Sequence, residues 1–151
     1  MASLVHRSAF VISAVTLLGL SISCKNNTTI PTATLATETK SGTVAVLGTD
    51  TQKFTVNYTY DYTNASVQLK TLTSVATGAN VTTPIGLAFG SVNSFDGTCV
   101  KSTYATPNAV IPDSPHITDA VFLGPSTYCI QVYDGGTLTE AVNYTITIQH
   151  Y

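Results

Sequence analysis

The cysteines carry the most definite chemistry in this chain of 151 residues, and there are three of them: Cys24, Cys99 and Cys129. In an oxidising compartment two thiols pair, and an odd third needs another fate. Cys99 and Cys129 lie in the body of the chain and read as a disulfide, worth about 3–4 kcal/mol for a loop of this size. The weaker alternative is a free pair or a metal site, because two thiols with no second pair nearby do not make a zinc centre. Histidine is the next candidate. His6 and His150 lie close to the two termini, so His116 is the one histidine in the body. Asp113, His116 and Asp119 would have to converge to hold a metal or to form a base with its orienter. The competing reading is a polar loop between prolines, where Asp and Ser make turns. No metal-ligand spacing is matched, and there is no Gly-x-Ser-x-Gly elbow, His-Glu-x-x-His run or phosphate loop. Asp61, Asp96, Asp134 and Glu140 fall at or near turn signals. Loop carboxylates of this kind can bind calcium, but more often they only build the turn. Last come Tyr58, Tyr60 and Tyr62, a tyrosine row suited to a ligand face if it is exposed and to core or sheet edge if it is not.

The elements that must position these residues read as strands. In 52–62, Phe54, Val56, Tyr58, Tyr60 and Tyr62 share one parity, and Thr55, Asn57, Thr59 and Asp61 the other. A helix would smear that set round its circumference, so period two decides for strand. In 142–149, Val142, Tyr144, Ile146 and Ile148 alternate with Asn143, Thr145, Thr147 and Gln149. The stretch 128–133 alternates likewise and places Cys129 with Gln131 and Tyr133, on the less buried face. Further strands are expected at 42–47, 65–73, 84–90, 98–104 and, as a short edge strand, 117–123. Val67 and Leu69 point inward in the second of these. Gly86, Ala88 and Gly90 leave one face of 84–90 almost without side chains, which fits close packing beneath a neighbour. Pro107 and the Pro112–Pro115 stretch imply a wandering connection over 105–116. About seven to eight short strands separated by turn signals give an all-β fold: an antiparallel β-sandwich, jelly-roll or immunoglobulin-like, spanning 41–151.

Composition excludes several roles. Only 9% of the residues are charged, the formal net charge is −2, and the lysines at 25, 40, 53, 70 and 101 are scattered singly. Nucleic-acid binding needs clustered Lys and Arg, so no nucleic-acid partner is expected. Residues 1–23 have the layout of a cleaved, helical signal peptide: Arg7 in a positive head, then an apolar run over 9–22 that is short for a membrane span. Residues 24–40 have no period and few bulky apolar groups, and are expected to be a linker.

Two resemblances follow. Ser21-Ile-Ser23 directly before Cys24 resembles the cleavage site of bacterial lipoproteins, although Leu20 stands one place further back than that family prefers. The resemblance implies lipidation of Cys24 and an exported protein held at the cell envelope, at the outer membrane or cell surface. Gly124-Pro-Ser-Thr-Tyr-Cys-Ile-Gln-Val-Tyr-Asp134, with Asn143-Tyr-Thr-Ile-Thr-Ile148, resembles the closing strands of bacterial pre-peptidase C-terminal domains. Those domains end in a G-x-Y-x-V-x-V strand and a Y-x-L-x-V strand. Val67–Leu72 and Gly86–Phe89 are similar to that family's middle strands. The family fold is a β-sandwich of about a hundred residues that rides on secreted enzymes as a non-catalytic accessory module. This chain departs from that pattern in that no enzyme is expected beside the module.

The sequence therefore predicts a non-enzymatic, lipid-anchored β-sandwich that acts as a binding or adhesion module for a protein or glycan. No cofactor or metal is expected, and the membrane is met through the anchor. The alternatives are a structural subunit that assembles with itself through sheet edges, and a hydrolase with an unrecognised site.

Overall fold

Alternating apolar and polar residues with few charges can hide one face of a strand and wet the other, and two such faces closed on each other make a sandwich. The computed structural model, which describes residues 34–57, 64–121 and 124–151, has this form. Its strands are β1 (Ala36–Val44), β2 (Thr49–Val56), β3 (Asn64–Ser74), β4 (Ile85–Val92), β5 (Cys99–Ala109), β6 (Ile117–Val121), β7 (Ser126–Tyr133) and β8 (Val142–His150). They form two four-stranded antiparallel sheets, ordered β1-β8-β3-β6 and β2-β7-β4-β5. Among the described residues there is no helix. The leader and Cys24 lie outside the described residues, as do Tyr58, Tyr60 and Tyr62.

The core is the set of inner-face residues that the alternation picks out. Phe54 and Val56 of β2, Leu87 and Phe89 of β4, Tyr128, Ile130 and Val132 of β7, and Val142, Tyr144, Ile146 and Ile148 of β8 are all buried. Phe89 stacks on Tyr128 with ring centroids 5.5 Å apart, and Phe54 lies 6.0 Å from Tyr128. The closing strand β8 sits between β1 and β3, so it is hydrogen-bonded on both sides.

Four features differ from the sequence expectation, each for a physical reason. Residues 36–40, read as linker, are the first part of β1, paired from Ala36↔His150 to Lys40↔Ile146. Their alternation was hidden because both faces of that segment are polar. Pro107 and Asn108, read as part of a wandering connection, lie inside β5. That strand is an edge, where a proline costs no ladder bond. In β3 the register shifts between Leu69 and Thr71, and the extra residue brings Leu72 back to the core beside Leu69. Finally, the outer face at Cys129 is not open, since Cys129 has no exposed surface.

The bare face of β4 explains that burial. Cys99 of β5 and Cys129 of β7 form a disulfide, and Gly90 of β4 pairs with Cys129 on one side and Lys101 on the other. The bridge therefore passes over the central strand at Gly90. A Cβ there would sit 2.3 Å from the Val100 carbonyl oxygen and 3.1 Å from Cys99 Sγ. Two residues along, the outer face at Ala88 lies beside Gln131; at Gly86 it lies under the Tyr133 ring, which a Cβ would approach to 2.1 Å. The glycines thus admit side chains of the flanking strands, the close packing expected of them.

Candidate functional site

The turn carboxylates are occupied in building turns. Asp134 Oδ1 accepts the N–H groups of Gly136, Thr137 and Leu138 at 2.8–3.1 Å, and its Oδ2 accepts Leu47 N–H at 2.8 Å. Burial alone would raise its pKa, but these backbone donors outweigh that and bring it down to about 2. Asp96 accepts Thr98 N–H and its hydroxyl within the β4–β5 turn, and Glu140 accepts the Ser74 hydroxyl at 2.7 Å. His116 is committed to its own loop: a ring nitrogen bonds the Val110 carbonyl, and its backbone N–H donates to Val67 O at 2.7 Å. Among the described residues no cluster of three or more His, Cys, Asp or Glu side chains is placed to hold a metal.

A polar seam that sequence reasoning missed runs between the edge strands β1 and β2. Tyr144 OH donates to Asp50 Oδ2 at 2.8 Å and accepts from Gln52 Nε2 at 2.9 Å. Burial first, and then Asp50, raise the Tyr144 pKa well above the usual phenol range, with Gln52 opposing. Further along, Glu38 pairs with Lys40 at 2.7 Å and with His150 at 3.0 Å. Burial would raise the Glu38 pKa, but the hydrogen bonds and charges of Lys40 and His150 hold it below its ordinary value. The signal was parity: Glu38 and Lys40 share the face of Val44, and His150 shares the face of Ile148. These groups pair with one another where the two sheets part, so they act as a clasp. Glu38 joins β1 to β8 through His150, and Tyr144 joins β8 to β2 through Asp50 and Gln52, while Glu38–Lys40 lies within β1.

The surface left for a ligand is the outer face of the first sheet, except at Gln68, which is buried and whose Nε2 donates to Pro112 O at 2.9 Å. The registers β1–β8 and β8–β3 set side chains in rows across three strands: Thr37, Gln149 and Ser66; Thr39, Thr147 and Gln68; Ser41, Thr145 and Thr71; Thr43, Asn143 and Thr73. Neighbours across strands stand about 4.8 Å apart, and successive rows about 6.7 Å. Every member carries a hydroxyl or an amide, and none is charged. Some pair with each other, as in Ser41 with Thr145 at 3.0 Å and the Thr43 hydroxyl donating to Asn143 Oδ1 at 2.7 Å. A shallow depression of about 380 Å³ lies over Ser41, Thr43, Thr71, Thr73, Asn143 and Thr145. Apart from exposed Lys70 at the β3 register shift, such a face offers uncharged donors and acceptors in a regular array, which suits a flat, neutral, hydroxylated ligand. Parity in 142–149 revealed one column of it; the other two columns needed the strand order.

A scan against protein-family models gave no match, and a search of the curated proteins gave none either.

Proposed function

We propose that this is an exported, non-enzymatic lipoprotein, anchored through Cys24, whose β-sandwich binds a neutral glycan on the outer face of β1, β8 and β3. The observation that carries the reading is the hydroxyl and amide array on that face, in which Lys70 is a lone charge at the β3 register shift. The resemblance of the closing strands to pre-peptidase C-terminal domains belongs to the same proposal, since those domains serve as accessory modules beside enzymes. The test is a glycan array probed with the purified protein and with Thr145→Lys. Thr145 lies in the middle column and is partly exposed, so the substitution alters the face with little strain on the fold. Binding to neutral polysaccharide should survive a rise from low to high salt, because no charge pair is screened. It should be lost in Thr145→Lys at unchanged thermal stability. An array returning only charged ligands, or equal binding by the variant, would sink the reading. Anchoring is tested apart from this: fatty-acid label should enter the wild-type chain in cells and not Cys24→Ala.

A further inference from the structure

Apolar side chains are exposed at both ends of the sandwich. One end carries Phe95, 98% exposed, with Leu35 and Tyr151 each about half exposed. Ala36 pairs with His150, so Leu35 and Tyr151 follow side by side at the end of the first sheet. The His150 ring lies 5.2 Å from that of Phe54, Phe54 pairs with Tyr128, and Tyr128 pairs with Ser91. This brings the end of β4, and the turn that displays Phe95, to the same end as Leu35 and Tyr151. The opposite end carries Val46, Leu47 and Val75, with Leu47 76% exposed.

We propose that the Leu35, Phe95 and Tyr151 end rests on the bilayer that holds the lipid anchor, so that β1 rises from the membrane surface and the Leu47 and Val75 end faces away. The proposal builds on the anchored reading above. Its first support is where the chain arrives: β1 starts at Ala36, at this end. From Cys24 to Ala36 the chain reaches at most about 40 Å at 3.3–3.6 Å per residue. Strand β1 is about 30 Å long. Turning the other end to the bilayer would oblige the chain to run back along the whole sandwich, taking up about three quarters of that reach. Side-chain type is the second support. Tyr and Phe suit the boundary of headgroups and hydrocarbon, whereas the exposed large apolar groups at the other end, among the described residues, are aliphatic: Val46, Leu47, Val75, Val110 and Ile111.

Third, Phe95 stands on a turn held from several directions. Asn93 Oδ1 accepts its N–H at 2.9 Å, Asn93 N–H donates to Thr98 O at 2.8 Å, and Lys53 Nζ donates to Gly97 O at 2.8 Å. An aromatic ring fixed outward in this way reaches the bilayer with little ordering left to do. On the same turn the Asp96 carboxylate is offset by the Lys53 ammonium at Gly97, so contact with the bilayer needs no anionic lipid and a zwitterionic surface suffices.

The chain contains no tryptophan, so Phe95→Trp and Val75→Trp each place a single reporter at one end. Full-length lipidated protein is reconstituted into phosphatidylcholine vesicles with brominated acyl chains. The reporter at position 95 should shift its emission to the blue and be quenched at least about twofold, as for a side chain at the headgroup–acyl boundary. The reporter at position 75 should be unchanged. Quenching at 75, or at neither position in protein that floats with the vesicles, would overturn the orientation and leave the anchor standing. A chain that does not float at all would overturn both.

Discussion

A single carboxylate closes two turns in this fold. Asp134 takes N–H donors from the turn that follows it and from Leu47, which it helps hold at φ 56°, a left-handed conformation a leucine seldom adopts. Asp134→Ala removes charge-assisted bonds worth roughly 1.5–3 kcal/mol each at most, so a net loss of a few kcal/mol is expected in urea denaturation. The same residue sets a pH dependence. Its folded pKa of about 2 lies below the usual aspartate value, so its contribution is complete above about pH 4 and is lost as pH falls toward 2. Thermal melts of wild type should therefore drop across that window, and those of Asp134→Asn should drop less; parallel curves would refute the assignment. Gly90 is the second residue on which the packing turns. A Cβ there meets backbone, which cannot rotate aside, whereas at Gly86 it meets the movable Tyr133 ring. Gly90→Ala should cost about 3 kcal/mol, at the upper end for overpacking, and Gly86→Ala about 1 kcal/mol together with the Lys101–Tyr133 ring contact. Equal urea midpoints for the two variants would contradict this ranking.

Among the elements, β1 stands apart in what holds it. Its inner positions are Ala36, Glu38, Lys40, Gly42 and Val44, and of these only Val44 is a buried core residue. The strand is kept in place by its ladder to β8 and by the polar clasp, while its neighbour β8 buries four large apolar side chains. Local opening follows buried apolar contact, so the amides of β1 should exchange hydrogen well before those of β8 and β4. Glu38→Ala, which breaks the pair with His150 of β8, should quicken exchange in β1 further, whereas Tyr144→Phe, which takes the hydroxyl from Asp50 and Gln52 of β2, should quicken it in β2 and cost about 1 kcal/mol. Exchange from β1 as slow as from β8 would show that the clasp holds more than its bonds suggest. The same polarity decided what could be read from sequence. Strands with one apolar face, such as 52–56 and 142–148, were legible by alternation alone. Residues 36–40 were not, because a strand wet on one face and ion-paired on the other has no hydrophobic period. Inside β5, Pro107 misled because its edge position, which makes it harmless, is a property of the sheet. The candidate glycan face was half legible: each column has a readable parity, but nothing local says that 37–43, 143–149 and 66–73 stand beside one another.

At the scale of the whole molecule, sheet order joins segments far apart in sequence, and this is where a covalent link has most effect. Strand β5 is an edge, its ladder to β4 is interrupted by two register shifts, and its exposed residues bury little. The Cys99–Cys129 bridge ties it across β4 to β7, closing a loop with a sequence separation of 30. Pairing of these two cysteines was expected from their number and place; that the bond would lie over a glycine on an intervening strand was not, because strand order is invisible to cysteine counting. A loop of this size restricts the unfolded chain by about 3–4 kcal/mol. Reduction should lower the urea midpoint accordingly. Because the reduced chain unfolds to a more expanded ensemble, the slope of the transition should also rise. The paired variant Cys99→Ala with Cys129→Ala separates covalent restraint from chemical damage by the reductant, and should match the reduced protein. Hydrogen exchange then locates the effect. If the bridge acts mainly on the unfolded state, native protection falls by the same free energy throughout the slowly exchanging core. If it acts by pinning a weak edge, β5 loses protection first while β3 and β8 keep theirs. The two shifts in the β4–β5 register favour the second outcome on top of the first, so β5 should lose more than the core, and a uniform loss would rule the pinning role out.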